Sequence, residues 1–146
     1  MIHVSEVFDR VTDKVPALAG RLQGATDFAR LVAEKKLPQN TPAAFVLHGA
    51  LDGGKADLAT GYFRQEMVES ISIVLIVRSA SDPTGMRAME DMVPLVRAVV
   101  KGVAGWGPDD APGVFTLGRG DLVGAEAGAL IYQIDFRLND QLRIIP

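Results

Sequence analysis

Few side chains in this sequence could do chemistry. Nucleophilic catalysis needs a serine, threonine or cysteine beside a base, and the chain has no cysteine and only two histidines, His3 and His48. Neither lies in a nucleophile elbow or a His-x-x-x-His pair. His48 ends an apolar run and reads as a half-buried residue satisfied by its neighbours. Glu90 and Asp91 are adjacent on a predicted helix, so their carboxylates diverge into solvent. Asp109-Asp110 could hold a cation only if nearby carbonyls turned inward, and the spacing of a calcium loop is missing. Asp52-Gly53-Gly54-Lys55 imitates a phosphate loop but lacks its Ser/Thr, its full glycine spacing and its strand-to-helix setting. Gly102, Gly105 and Gly107 follow a helix instead of opening one, so they are no dinucleotide fingerprint. Gly105 or Gly107 fits a helix C-terminus, with Trp106 packed over it. Arg119-Gly120-Asp121 is explained by turn chemistry where a strand must stop. The expectation is no catalytic residue, no cofactor site and no metal site.

Composition narrows the classes further. A chain of 146 residues fits one domain spanning 1–146. It is 48% hydrophobic and 23% charged, near the average for globular proteins. The net charge of −3 gives no global basic field for nucleic acid or an anionic membrane, and the basic residues are scattered. Without cysteine, disulfides and thiolate metal sites are excluded. The start, MIHVSEVFDR, lacks the basic and apolar regions of a signal peptide, and the longest apolar run, Ile73 to Val77, is far too short for a membrane span. A soluble, untargeted chain is expected.

The elements that would position these residues follow from periodicity. Val4, Val7, Phe8, Val11 and Val15 predict an amphipathic first helix that weakens at Pro16. A short apolar piece at Leu18 to Leu22 and a turn at Gly24 follow. Thr26 is the expected N-cap of a second helix from Asp27 to Lys36. Ala43 to His48 reads as a strand, and the Gly-rich stretch 49–61 as an exposed, mobile loop. Gln65 to Arg78 is a long strand: Ile71, Ile73, Leu75 and Val77 face one way. Its other row turns from polar to apolar, so one end alone is covered on both sides. Ser81-Asp82-Pro83 should open a third helix with an apolar stripe from Met89 to Val103, kinked or broken at Pro94. Val114 to Arg119 and Ala129 to Leu138 predict a closing hairpin. The expected class is α+β, a small, mainly antiparallel sheet of about four to five strands with helices on one face.

Taken together, the pieces resemble the tail terminator proteins of long-tailed bacteriophages. The resemblance is carried by the N-terminal helix, GATDFARL (Gly24 to Leu31), TPAAFVLH (Thr41 to His48) and VESISIVLIVR (Val68 to Arg78). SDPTGMRAMEDMVPLVRAVVKGVAGWGP (Ser81 to Pro108) and a Gly-Arg-Gly turn before the alternating final strand complete it. It implies a non-enzymatic virion protein with no cofactor. Such a protein forms a homo-oligomeric ring, typically a hexamer, at the head-proximal end of the tail tube. There it stops tube growth and meets the head–tail connector or stopper, after assembly in the host cytoplasm. DNA would pass through the lumen without sequence-specific binding, and no membrane is involved. Candidate contacts to neighbouring subunits or the tube are Leu51, Asp52, Lys55, Asp57, Tyr62 and Arg64, then Asp109, Asp110, Arg119 and Asp121. Two alternatives remain at this point: another head–tail joining or minor tail protein of similar fold, or a small α+β ligand-binding protein or enzyme using His48, Tyr132 or Arg78.

Overall fold

In the computed structural model, the described residues are 1–59, 61–79, 84–126 and 128–145. Their elements are α1 (Val4–Lys14), a 3-10 turn (Pro16–Leu18), β1 (Leu22–Gln23), α2 (Ala25–Glu34), β2 (Ala43–Asp57) and β3 (Phe63–Arg78). They are followed by α3 (Met86–Val103), β4 (Phe115–Glu126) and β5 (Ala129–Ile144). One sheet runs β1-β2-β3-β5-β4, with β1 parallel to β2 and every other pairing antiparallel. The α+β class and the mainly antiparallel sheet are as expected.

The alternation along β3 sorts the core into two. Ile71, Ile73, Leu75 and Val77 join Phe136 and Ile134 of β5 under Val7 and Val11 of α1 and Met92, Val99 and Val103 of α3. Each such side chain, fully buried, contributes about 1.5–3 kcal/mol. Val74 and Ile76 point the other way, with Phe45 and Ala129, against Phe28 and Leu31 of α2. The helices therefore do not all share one face: α1 and α3 take the first, and α2 covers the doubly apolar end of the second. The rest of that second face, from Ser72 and Asp135 outward to Arg64 and Arg143, carries polar side chains apart from Val68, and among the described residues no helix lies over it.

Several boundaries differ from the sequence expectations. Of the stretch 49–61, residues 49–57 are strand: β2 continues through Gly49, Gly53 and Gly54 to Asp57, paired with β3, and residue 60 lies outside the described residues. Both its faces meet solvent, so no apolar alternation marks it. Glycine is required at Gly49, where a Cβ would sit 2.9 Å from the Ser70 carbonyl oxygen. Gly24, not Thr26, is the N-cap of α2, without a side-chain cap bond. The expected opening of α3 at Ser81-Asp82-Pro83 lies outside the described residues; the helix runs from Met86 with Gly85 in the left-handed region at φ 75°. It continues through Pro94 without a break, because Pro94 and Glu90 are both exposed and water can serve the freed Glu90 carbonyl. Arg119-Gly120-Asp121 lies within β4, opposite Asp135, Ile134 and Gln133, and is no corner. A Cβ on Gly120 would sit 2.8 Å from the Tyr132 hydroxyl, so glycine there leaves room for the Tyr132 side chain and makes no turn.

Candidate functional site

The expected contact residues fall in three places. Leu51, Asp52, Lys55 and Asp57 lie on the outer half of β2, and Tyr62 and Arg64 follow across the hairpin tip. The tip gathers three of them: Arg64 reaches Asp57 at 3.5 Å and lies 5.9 Å from the Tyr62 ring centroid. Arg119 and Asp121 form a 3.1 Å ion pair on β4, at the opposite edge of the sheet. Asp109 and Asp110 occupy the segment between α3 and β4.

That segment is built around Trp106. Gly105 turns out of the helix at φ 81°, as expected for a helix end. The Trp106 ring stacks on Phe115 at 5.7 Å, and the Arg10 guanidinium lies 5.2 Å from the Trp106 ring while its Nε donates to the Gly102 carbonyl at 2.8 Å. Gly105 N donates to Phe115 O, and Phe115 N donates to Trp106 O. Both polar groups of Phe115 are thus satisfied on the side away from β5. Gly105 and Trp106 close the outer edge of β4 at its first residue.

Asp110 meets a residue that motif reasoning set aside. His3 is 1% exposed and Glu69 of β3 is 0% exposed. The His3 Nδ1 lies 2.7 Å from Glu69 Oε2 and its Nε2 lies 2.9 Å from Asp110 Oδ1. The His3 backbone N–H donates to the other Glu69 oxygen. A neutral imidazole has one N–H, so only the imidazolium donates to both carboxylates. Burial works against that charge. The hydrogen bonds to Glu69 and Asp110 and the Glu69 charge outweigh it, and the His3 pKa stands above its ordinary 6.5. The bond from His3 in turn holds the exposed Asp110 carboxyl below its ordinary 3.8. A raised folded-state pKa gives stability that is complete below 6.5 and is lost as pH rises through the folded value. The melting temperature is expected to fall between neutral and mildly alkaline pH, and His3→Gln should flatten that slope. An equal slope in both proteins would rule out His3 as its source.

This cluster ties a helix start, a strand and a loop together, and among the described residues its hydrogen bonds and ion pairs involve no serine, threonine or cysteine. Among the described residues no group of three or more His, Cys, Asp or Glu side chains could hold a metal ion. The residues suggested for a ligand-binding reading do not converge either. His48 is exposed at a bulge of β2, and is not half-buried as expected. The apolar cleft between α2 and the sheet, of about 500 Å³, is lined by Phe28, Leu31, Ile76, Val123 and Ile131 and by none of His48, Tyr132 or Arg78. No helix among the described residues is long and apolar enough to cross a membrane.

What the molecule does offer is backbone. Among the described residues, none pairs with the outer edge of β2 beyond Phe45 as far as Asp57, or with the outer edge of β4 beyond Phe115 as far as Glu126. Leu117, Leu122 and Val123 stand exposed along β4 and Val114 just before it. Long open edges with apolar side chains are a standing invitation to strand pairing. The sequence profile of the phage tail terminator protein family matches residues 1–146, the whole chain. The chain belongs to this family. Among curated proteins none matches it significantly. In fold it is similar to a chain of the virion of a native gene transfer agent (GTA) particle, with a TM-score of 0.56 at 15% identity, over 97% of this chain and 100% of that one. Membership makes this tail terminator a structural component of the phage virion, a role in keeping with open edges and unlike catalysis.

Proposed function

We propose that this tail terminator closes into a ring of identical subunits on the head-proximal end of the tail tube, stops tube growth there and presents a face to the head–tail connector. The observation that carries the reading is one continuous sheet with an open edge on each side. Two different edges meeting head to tail make a heterologous contact, which gives a ring when the rotation per subunit closes and a filament when it does not. A sheet that closes on itself leaves no lateral edge exposed. The bare polar face, where Arg64, Arg119, Arg137 and Arg143 alternate with Glu66, Asp121 and Asp135, suits a conduit wall. Mixed charge neither grips nor expels a passing phosphate backbone as a one-signed surface would. Six subunits is the expected number, from the family resemblance. The outer β2 residues, the β2–β3 tip and the Asp109-Asp110 segment are the proposed contacts to neighbours.

The test is tube polymerisation with and without this protein. Added early, it is expected to give tubes that carry one extra ring at one end and stop elongating. Tubes that keep their growth rate and bare ends would sink the reading. Another head–tail joining role would show instead as a ring on the connector and none on the tube.

A further inference from the structure

The two open edges carry more than a general capacity to pair; together they specify a register. This rests on the ring reading above and names the interface that would close it. Each edge strand holds two one-residue bulges with a short regular stretch between them, Ala50–Gly53 on β2 and Arg119–Leu122 on β4. The step from the first bulge to the second is the same on both, His48 to Gly53 and Leu117 to Leu122. Each open edge is also blocked at one end. Β1 occupies β2 at Ala44 and Phe45, and Gly105-Trp106 occupies β4 at Phe115. An incoming strand can therefore use β2 only from Val46 onward and β4 only from Thr116 onward.

We infer that β2 of one copy pairs antiparallel with β4 of the next, with Asp52 opposite Arg119. Three constraints meet in that register. The sides agree first: Asp52 pairs with Val68 and Arg119 with Asp135, which places both on the α2 side of the sheet, whereas a one-residue slip would set opposite faces against each other. The regular stretches overlie one another to within a residue, and Ala125 comes opposite Val46, the first unblocked position. Opposite charges then face each other at the centre, Asp52 to Arg119, a favourable cross-strand pair.

The same register fixes a tilt. Within its own sheet Arg119 is level with Leu47, through Asp135 and Ser72. Facing Asp52 of the next copy, it imposes an offset of four residues per subunit on the unbulged β3, from Ser72 to Val68, or roughly 13 Å at ~3.3 Å per residue. Each subunit adds four long strands, roughly 19 Å of sheet at ~4.8 Å per strand. The ratio gives a strand tilt of about 35°, at the lower end of the ~35–45° that closed barrels adopt. It does so whatever the number of subunits.

Because the chain has no cysteine, a single engineered pair reports the contact cleanly. Residues directly opposite in an antiparallel pair lie ~4.5–5.5 Å apart, within disulfide range. Asp52→Cys with Arg119→Cys in one chain should yield, on mild oxidation of the assembled protein, a ladder ending at the ring stoichiometry. The two single variants, mixed, should give one disulfide-linked dimer and nothing larger. Asp52→Cys with Glu126→Cys should stay unlinked. Rings of normal mass with no Asp52–Arg119 cross-link, or with the Glu126 pair linked as readily, would overturn this register and leave the ring reading intact. A double variant and parent that both stay monomeric, alone and on tube ends, would overturn both.

Discussion

His3→Ala is expected to destabilise the fold by about 3–5 kcal/mol, far beyond the loss of an ordinary surface contact. The reason lies in what stays behind. Glu69 is fully buried, and removing the ring strips its carboxylate of the bond from Nδ1 and of the facing charge. Breaking a buried pair from one side costs about that much because the remaining charge is uncompensated. The same truncation releases Asp110, so the segment Gly105–Val114 loses one of its ties. The pair itself need not be stabilising relative to an apolar one. His3→Leu combined with Glu69→Met should therefore recover most of the loss, a non-additivity that identifies the buried charge as the cause. Urea denaturation of the four proteins in the cycle measures it. A His3→Ala midpoint within 1 kcal/mol of the parent would mean that water reaches Glu69.

Phe115→Ala should be comparably severe, about 3–5 kcal/mol for a fully buried phenylalanine. Its ring fills the core under α3 and is the platform on which Trp106 stacks. The effect should reach the strand edge as well. With the platform gone, Gly105-Trp106 is held to β4 by two backbone bonds alone. Trp106 is the chain's one tryptophan, so its emission should shift to the red in the folded variant and give a local readout separate from the denaturation midpoint. Unshifted emission would show that Arg10 and the backbone bonds suffice to seat the indole. Cutting the exposed Arg119–Asp121 pair should, by contrast, change stability by less than about 1 kcal/mol.

The interior was legible in the sequence where one face of an element meets core and the other meets solvent. Β3 and β5 announced themselves by alternation and α1 and α3 by helical spacing. The apolar turn in the second row of β3, at Val74 and Ile76, marked where a helix must cover the other face, and α2 does so. The outer half of β2 and most of β4 were not legible. With both faces wet, their pattern carries no period, and glycines chosen for close packing resemble turn signals. Nor does spacing reveal the His3–Glu69 pair, whose partners are 66 positions apart in sequence. A trace of it was present: Glu69 continues the inward row of Ile71, Ile73 and Leu75, and a carboxylate in such a row demands a partner. The stretch GWGPDDAPGVFTLGRGDLVG divides accordingly, into an indole seat, an anchor for His3 and an edge strand.

Β5 outruns β4. Phe115 stands opposite Leu138, and Gly113 lies against the Asn139 carbonyl, so among the described residues no strand pairs with the outer margin of β5 from Gln141 to Ile144. In the register inferred above, the next copy's β2 ends at about the level of Phe115 and leaves this margin bare. Every subunit of a closed ring would then keep one short unspent rail at the rim, all pointing the same way along the axis. A ring with rails on one rim only is polar: it can accept a strand from one axial direction and not from the other. That asymmetry is the minimum equipment that the proposed joining of tube and connector asks of such a ring.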